Sequence, residues 1–111
     1  MKTVKVYHYD WMIRDEDSIE YRFNPNSQFA TLAWEAGNFI HVADVNVNGV
    51  NVDAMLEQAF HDTNTINCPW IENSNVTPMK GPQRSTSVGD IMELDGDKYL
   101  VMDIGFMYME K

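Results

Sequence analysis

Apolar and polar residues alternate imperfectly over residues 3–13, TVKVYHYDWMI, and the wealth of Val, Tyr and Trp there suits a strand. A solvated acidic turn follows at 14–20. Its carboxylates, Asp15, Glu16, Asp17 and Glu20, lack the spacing of a calcium loop, so charge exposure is the simpler reading. NPNS at 24–27 is turn chemistry. After it, Phe29, Leu32, Ala33 and Ala36 fall at i, i+3, i+4 and i+7, and Gly37-Asn38 supplies a stop, which predicts a helix. A strand over 29–34 is the competing reading, because Phe, Thr and Trp also suit sheets.

Residues 38–48, NFIHVADVNVN, predict a central strand, being apolar on both faces. Strict alternation puts Ile40, Val42 and Asp44 on one face and His41, Ala43, Val45 and Val47 on the other. The second helix is sharper. Val52, Met55, Leu56, Ala59 and Phe60 form a helical stripe, Asn51 is placed to cap it, and Val50 with Met55 has the spacing of a hydrophobic staple. It should run out near 62–64. Residues 64–83 carry little period and three prolines, which predicts a long loop, the kind of segment that often carries function.

The most organised stretch is RSTSVGDIMELDGDKYLVMDIGF at 84–106. Asp95-Gly96, flanked by expected strands over 88–94 and 98–104, is a strong hairpin signal. Turning there sets Leu94 opposite Asp97, Glu93 opposite Lys98 and Met92 opposite Tyr99, and the facing charges of Glu93 and Lys98 support that register. Gly89 reads as a bulge or close approach. The last run, Phe106, Met107, Tyr108 and Met109, is apolar on both faces of a strand, so one face needs a cover. Another subunit would supply it, as a homodimer, and the loop at 64–83 is the alternative cover.

Composition narrows the classes of function. The chain has 111 residues, enough for one domain over 1–111 with a single core. Seventeen acidic residues against eight basic ones give a formal charge of −9, which disfavours direct nucleic-acid binding and anionic membranes. A mimic of nucleic acid is the sharper meaning such a charge can have. Cys68 is the lone cysteine, so no internal disulfide forms. No run has the length of a membrane span or a signal-peptide core, which points to the cytoplasm.

Candidate chemistry is thin. His8, His41 and His61 sit on different elements, and nothing in their spacing makes metal ligands converge, so no metal and no cofactor are assigned. Cys68 precedes a proline in acidic surroundings that do not activate a thiol. Ser85, Thr86 and Ser87 have no neighbouring base. Trp11, Trp34 and Trp70, with eight methionines, are a surplus suited to a core or to partner surfaces.

The segments FIHVADV, DAMLEQAFHDTNTINCPWIEN and RSTSVGDIMELDGDKYLVMDIGF together resemble a pattern in small proteins of bacteriophages and mobile elements, similar to the end of the YodL-like domain family. The resemblance covers roughly residues 39–109. It implies a phage or mobile-element accessory protein in the host cytoplasm, in a family without an established activity, and it transfers no catalytic residue.

The expectation is therefore an α+β domain with a largely antiparallel sheet and two short helices on one face. Its expected function is non-enzymatic binding of a protein, from the host or a second copy. The residues assigned to binding are Trp70, Arg84, Ser85, Ser87 and Asp90. A small hydrolase-like enzyme using Asp or His near 64–87 is the alternative.

Overall fold

The computed structural model describes residues 2–10, 26–64, 69–79 and 84–109. The expectations for Trp11, Cys68 and the acidic turn at 14–20 lie outside the described residues. Six strands form one antiparallel sheet: β1 (Lys2–Tyr9), β2 (Phe39–Val47), β3 (Val76–Pro78), β4 (Ile91–Leu94), β5 (Asp97–Val101) and β6 (Phe106–Met109). Their order across the sheet is β3-β2-β1-β4-β5-β6. Among the described residues, two helices, α1 (Ser27–Glu35) and α2 (Val52–Asp62), complete an α+β architecture.

The helix at 27–35 forms, and the strand alternative does not. Asn26 caps it by accepting the Phe29 N–H at 3.0 Å, and Gly37 leaves it at φ 77°. Asn51 caps α2 in the same way through the Ala54 N–H at 2.8 Å. The staple does not form, since Val50 points into solvent. The residues at 69–79 hold more order than their missing period suggests. A 3-10 turn, Trp70–Glu72, precedes β3, which pairs Val76 with Val45 and Pro78 with Ala43. Three residues are too short to show alternation, and Pro78 is tolerated because β3 lies at the sheet edge.

The two helices do not share a face. Val4 and Val6 of β1 pack with Met55, Leu56 and Ala59 of α2. Tyr9 packs with Ala30 and Ala33 of α1. Successive residues of a strand point to opposite faces, so each helix covers its own side. The expected placement on one face is corrected for that reason: β1 and β4 are apolar on both sides, and each side needs a cover. The premise for self-association, a face left bare opposite two helices, therefore falls away.

A bulge corrects a second expectation. Val6 pairs with Ala43 but Tyr7 pairs with His41, which leaves Val42 as an extra residue in β2. The slip returns Ala43, Val45 and Val47 to the α2 side along with Val42. It also brings His41 and Asp44 together on the α1 side, with Nε2 and Oδ1 2.7 Å apart. Side-chain pattern alone cannot reveal such a slip.

The hairpin follows the expected register residue for residue, from Leu94 opposite Asp97 to Met92 opposite Tyr99. Asp95 at φ 53° and Gly96 at φ 85° give the left-handed pair that a tight two-residue turn requires. The strand before the turn starts at Ile91 rather than at 88. Residues 87–90 form a turn of their own, closed by the Asp90 N–H on the Ser87 carbonyl at 3.0 Å with Gly89 at φ 96°.

Candidate functional site

The segment 84–90 ties the centre of the sheet together. Asp90 is fully buried, and both of its oxygens are claimed. Oδ1 accepts from the Arg84 guanidinium at 2.7 Å and from the Tyr9 N–H at 2.9 Å. Oδ2 accepts from Arg84 at 2.7 Å and from the Ser87 N–H at 2.8 Å. The Arg84 fork is therefore bidentate, the geometry in which arginine and a carboxylate bind most strongly. The same guanidinium reaches the Tyr9 and Ser85 carbonyls, at 3.1 and 3.0 Å, and the Ser87 hydroxyl at 3.3 Å. The Trp70 indole N–H donates to the Arg84 carbonyl at 2.9 Å, which fastens the loop segment onto this knot.

All five residues assigned to binding thus gather in one place. Trp70 and Asp90 lie in the interior, Arg84 and Ser85 are half-buried, and Ser87 is exposed. Their polar groups are turned on one another, which makes the cluster a clamp between β1, β4 and the loop segment. The serine and glycine of R-S-x-S-V-G-D serve the same clamp. Gly89 permits the turn that aims Asp90 inward, and its N–H donates to the Val101 carbonyl at 2.9 Å.

Three further residues join this cluster: His8 and Thr86, which the sequence offered only as separate candidates, and Thr63, which it did not mark. His8 continues the buried alternation of Val4 and Val6, and that period was the available signal. Thr63 and Thr86 are far apart in sequence and meet only in three dimensions. Their hydroxyls lie 2.7 Å apart, and His8 Nε2 lies 2.9 Å from the Thr86 hydroxyl.

A histidine beside a hydroxyl, with a carboxylate nearby, invites comparison with nucleophilic catalysis, but the proton directions exclude it. The Thr63 hydroxyl donates to the Ala59 carbonyl at 2.7 Å, so it accepts from Thr86. Thr86 must then accept from His8, whose Nε2 carries the hydrogen and cannot act as a base toward it. Asp90 sits 3.9 Å from that same Nε2, not from Nδ1, where an orienting carboxylate would belong. Both His8 and Thr86 are also buried from any substrate.

His8 Nδ1 has no hydrogen-bond partner among the described residues. Burial pushes the His8 pKa down to about 4. Asp90 pulls it partly back, and the Arg84 charge adds to the depression. The ring is neutral at pH 7 and is part of the core.

Among the described residues, two open concavities lie away from the clamp. On the α1 side, Tyr7, Trp34, Gly37, Phe39 and His41 line a cleft of about 310 Å³. Tyr7 stacks on His41 at 4.8 Å and meets Trp34 edge-on at 4.7 Å. Burial raises the Tyr7 pKa, with Glu93 and Asp44 adding to it. Lys98 lies 4.9 Å above the Trp34 ring and 3.8 Å from Glu93. Opposite charges on this face thus answer one another.

On the α2 side, a groove of about 280 Å³ runs between α2 and the β5–β6 connection. Phe60, Val101, Met102 and Phe106 form its apolar floor, and Glu57 and Asp103 stand on its rim. Phe60 and Phe106 meet edge-to-face at 6.4 Å, and Tyr99 and Tyr108 extend the aromatic row at 5.6 Å. Burial raises the Tyr99 pKa, and the nearby charges of Asp97, Asp53 and Asp95, with Tyr108, add to it. Beside the groove Ile104 is 95% exposed and Tyr108 48% exposed.

Among the described residues, no three His, Cys, Asp or Glu side chains converge on a metal position, and no helix is long and apolar enough to cross a membrane. Comparisons with protein-family models, curated proteins and solved structures give no match, so no residue role carries over from another protein.

Proposed function

We propose that this is a non-enzymatic accessory protein that acts by binding another protein. The observation that carries this reading is the aromatic strip at the β5–β6 end of the sheet, where Tyr99, Phe106 and Tyr108 continue into the exposed Ile104. Exposed aromatic and branched apolar side chains beside a groove are the composition of protein interfaces. The clamp supports the reading from the other side, because its His, Asp and hydroxyl groups are committed to the interior and offer no reacting atom. Encoding by a bacteriophage or mobile element, with action in the host cytoplasm, belongs to the same proposal and rests on the R-S-x-S-V-G-D resemblance.

Site-directed photo-cross-linking in cells tests the proposal. A photoreactive residue at position 108 should give a discrete adduct with another protein, and the same residue at position 35, on the α1 side, should not. Equal yields at the two positions, or no adduct at 108, would refute the reading. An adduct of twice the chain mass would name a second copy as the partner.

A further inference from the structure

We infer that the groove between α2 and β5–β6 takes a basic, amphipathic segment of the partner protein, with an apolar side chain against Phe60 and Phe106 and Lys or Arg against the rim. This rests on the protein-binding reading above and adds the chemistry of the partner.

Among the described residues, the charges around the groove are of one sign. Glu57 and Asp103 line it. Asp53, one turn before Glu57 on α2, stands with Asp97 near Tyr99, and Asp97 accepts from the Tyr108 hydroxyl at 3.4 Å. The described lysines and arginine lie elsewhere. Lys2 pairs with Asp95 at 2.8 Å at the hairpin turn, and Arg84 is held in the clamp. Lys5 and Lys98 are on the α1 side, opposite Asp44 and Glu93 in register. His61, one turn beyond Glu57, lies 3.2 Å from Asp62 and does not line the groove.

An acidic rim around an apolar floor repels nucleic acid and other acidic surfaces, and it attracts a segment that carries both an apolar anchor and positive charge. Arginine suits the rim best, because its guanidinium can fork onto a carboxylate and stack on an aromatic ring at once. The groove is short, so a single apolar anchor fits it better than a long helical stripe.

The test uses the full chain and a fluorescent peptide with one leucine cluster flanked by arginines, beside the same peptide with glutamates for arginines. Fluorescence anisotropy should show binding of the arginine peptide, weakened by added salt, and none of the glutamate peptide. Glu57→Lys with Asp103→Lys should lower affinity by about tenfold or more, or roughly 1.4 kcal/mol. Glu35→Lys with Glu72→Lys, an equal change of charge on exposed residues away from the groove, should lower it by less than about threefold. Equal losses in the two variants would overturn the inference, since net charge alone would then account for binding. Amide shifts on the wild-type protein should centre on Phe60, Tyr99 and Phe106, and shifts confined to the α1 side would overturn it too. Failure of the arginine peptide, together with a persisting adduct at position 108, would sink the basic partner and leave protein binding standing. Failure of both would sink both.

Discussion

The clamp at 84–90 and the groove beside α2 are built from similar residue types, carboxylates with aromatics, and they end in opposite states. In the clamp Asp90 receives four donors and Trp70 caps the assembly from the loop side. In the groove Glu57 and Asp103 stand exposed over Phe60 and Phe106. A motif that stands out in sequence can therefore be architecture, while the surface available to a partner is assembled from unremarked positions on α2 and a connecting loop. The difference lies in whether the fold itself supplies the partners of each polar group.

Breaking the clamp should have the largest effect. Arg84→Ala leaves a buried carboxylate without its counterion, and Asp90→Ala strands the guanidinium with the Tyr9 and Ser87 N–H groups. Each should cost about 3–5 kcal/mol, read from chemical denaturation. Arg84→Lys should recover only part of the loss, since an ammonium cannot form the fork. A cost under about 1 kcal/mol for either alanine variant would place the segment outside the core of the fold.

The next effect is acid sensitivity. His8 has a folded pKa of about 4 against 6.5 for a free side chain, so the unfolded chain binds the extra proton between those values. Stability is full above about pH 6.5, falls as pH drops toward 4 and levels off below, a change of roughly 3 kcal/mol. His8→Gln should remove that part of the slope and leave the carboxylate contribution. Parallel pH profiles for wild type and variant would contradict the buried neutral ring.

A smaller loss is expected at the hairpin turn. A Cβ on Gly96 meets nothing within 4 Å, so Gly96→Val isolates the backbone cost of a β-branched residue at φ 85°, about 1–2 kcal/mol. An unchanged melting temperature would argue against the left-handed turn. Smallest of all, Glu57→Lys on the exposed side of α2 should alter stability by no more than about 0.5 kcal/mol. A larger loss would mean that the groove, like the clamp, is structural.

Local signals were legible in the sequence and long-range ones were not. The helix stripe from Met55 to Phe60, the Asn51 cap and the Asp95-Gly96 turn are written within a few residues, and each took its expected form, while Val52 at the head of the stripe is left exposed. The α+β class followed from them. The bulge at Val42 left no mark, because Val is apolar on either face, and with it went the pairing of His41 with Asp44. The placement of the helices on opposite faces depended on how β1 is shared between two cores, which no single element encodes. Arg84, Ser85, Ser87 and Asp90 were singled out as a motif, but their meeting with Tyr9, His8 and Thr63 required the fold. Glu57 and Asp103 went unnoticed because, on helix and loop, they read as ordinary solvated charges.

The central claim is that the clamp is part of the cooperative core rather than a site that opens to a ligand, and native-state hydrogen exchange at two amides tests it most directly. The Tyr9 and Ser87 N–H groups both donate to Asp90, at 2.9 and 2.8 Å. Both should exchange only through global unfolding, with the same free energy as the amides of β4, and both should lose protection together in Arg84→Ala. Exchange of either amide through a local opening well below the global free energy, unaltered by Arg84→Ala, would contradict the account.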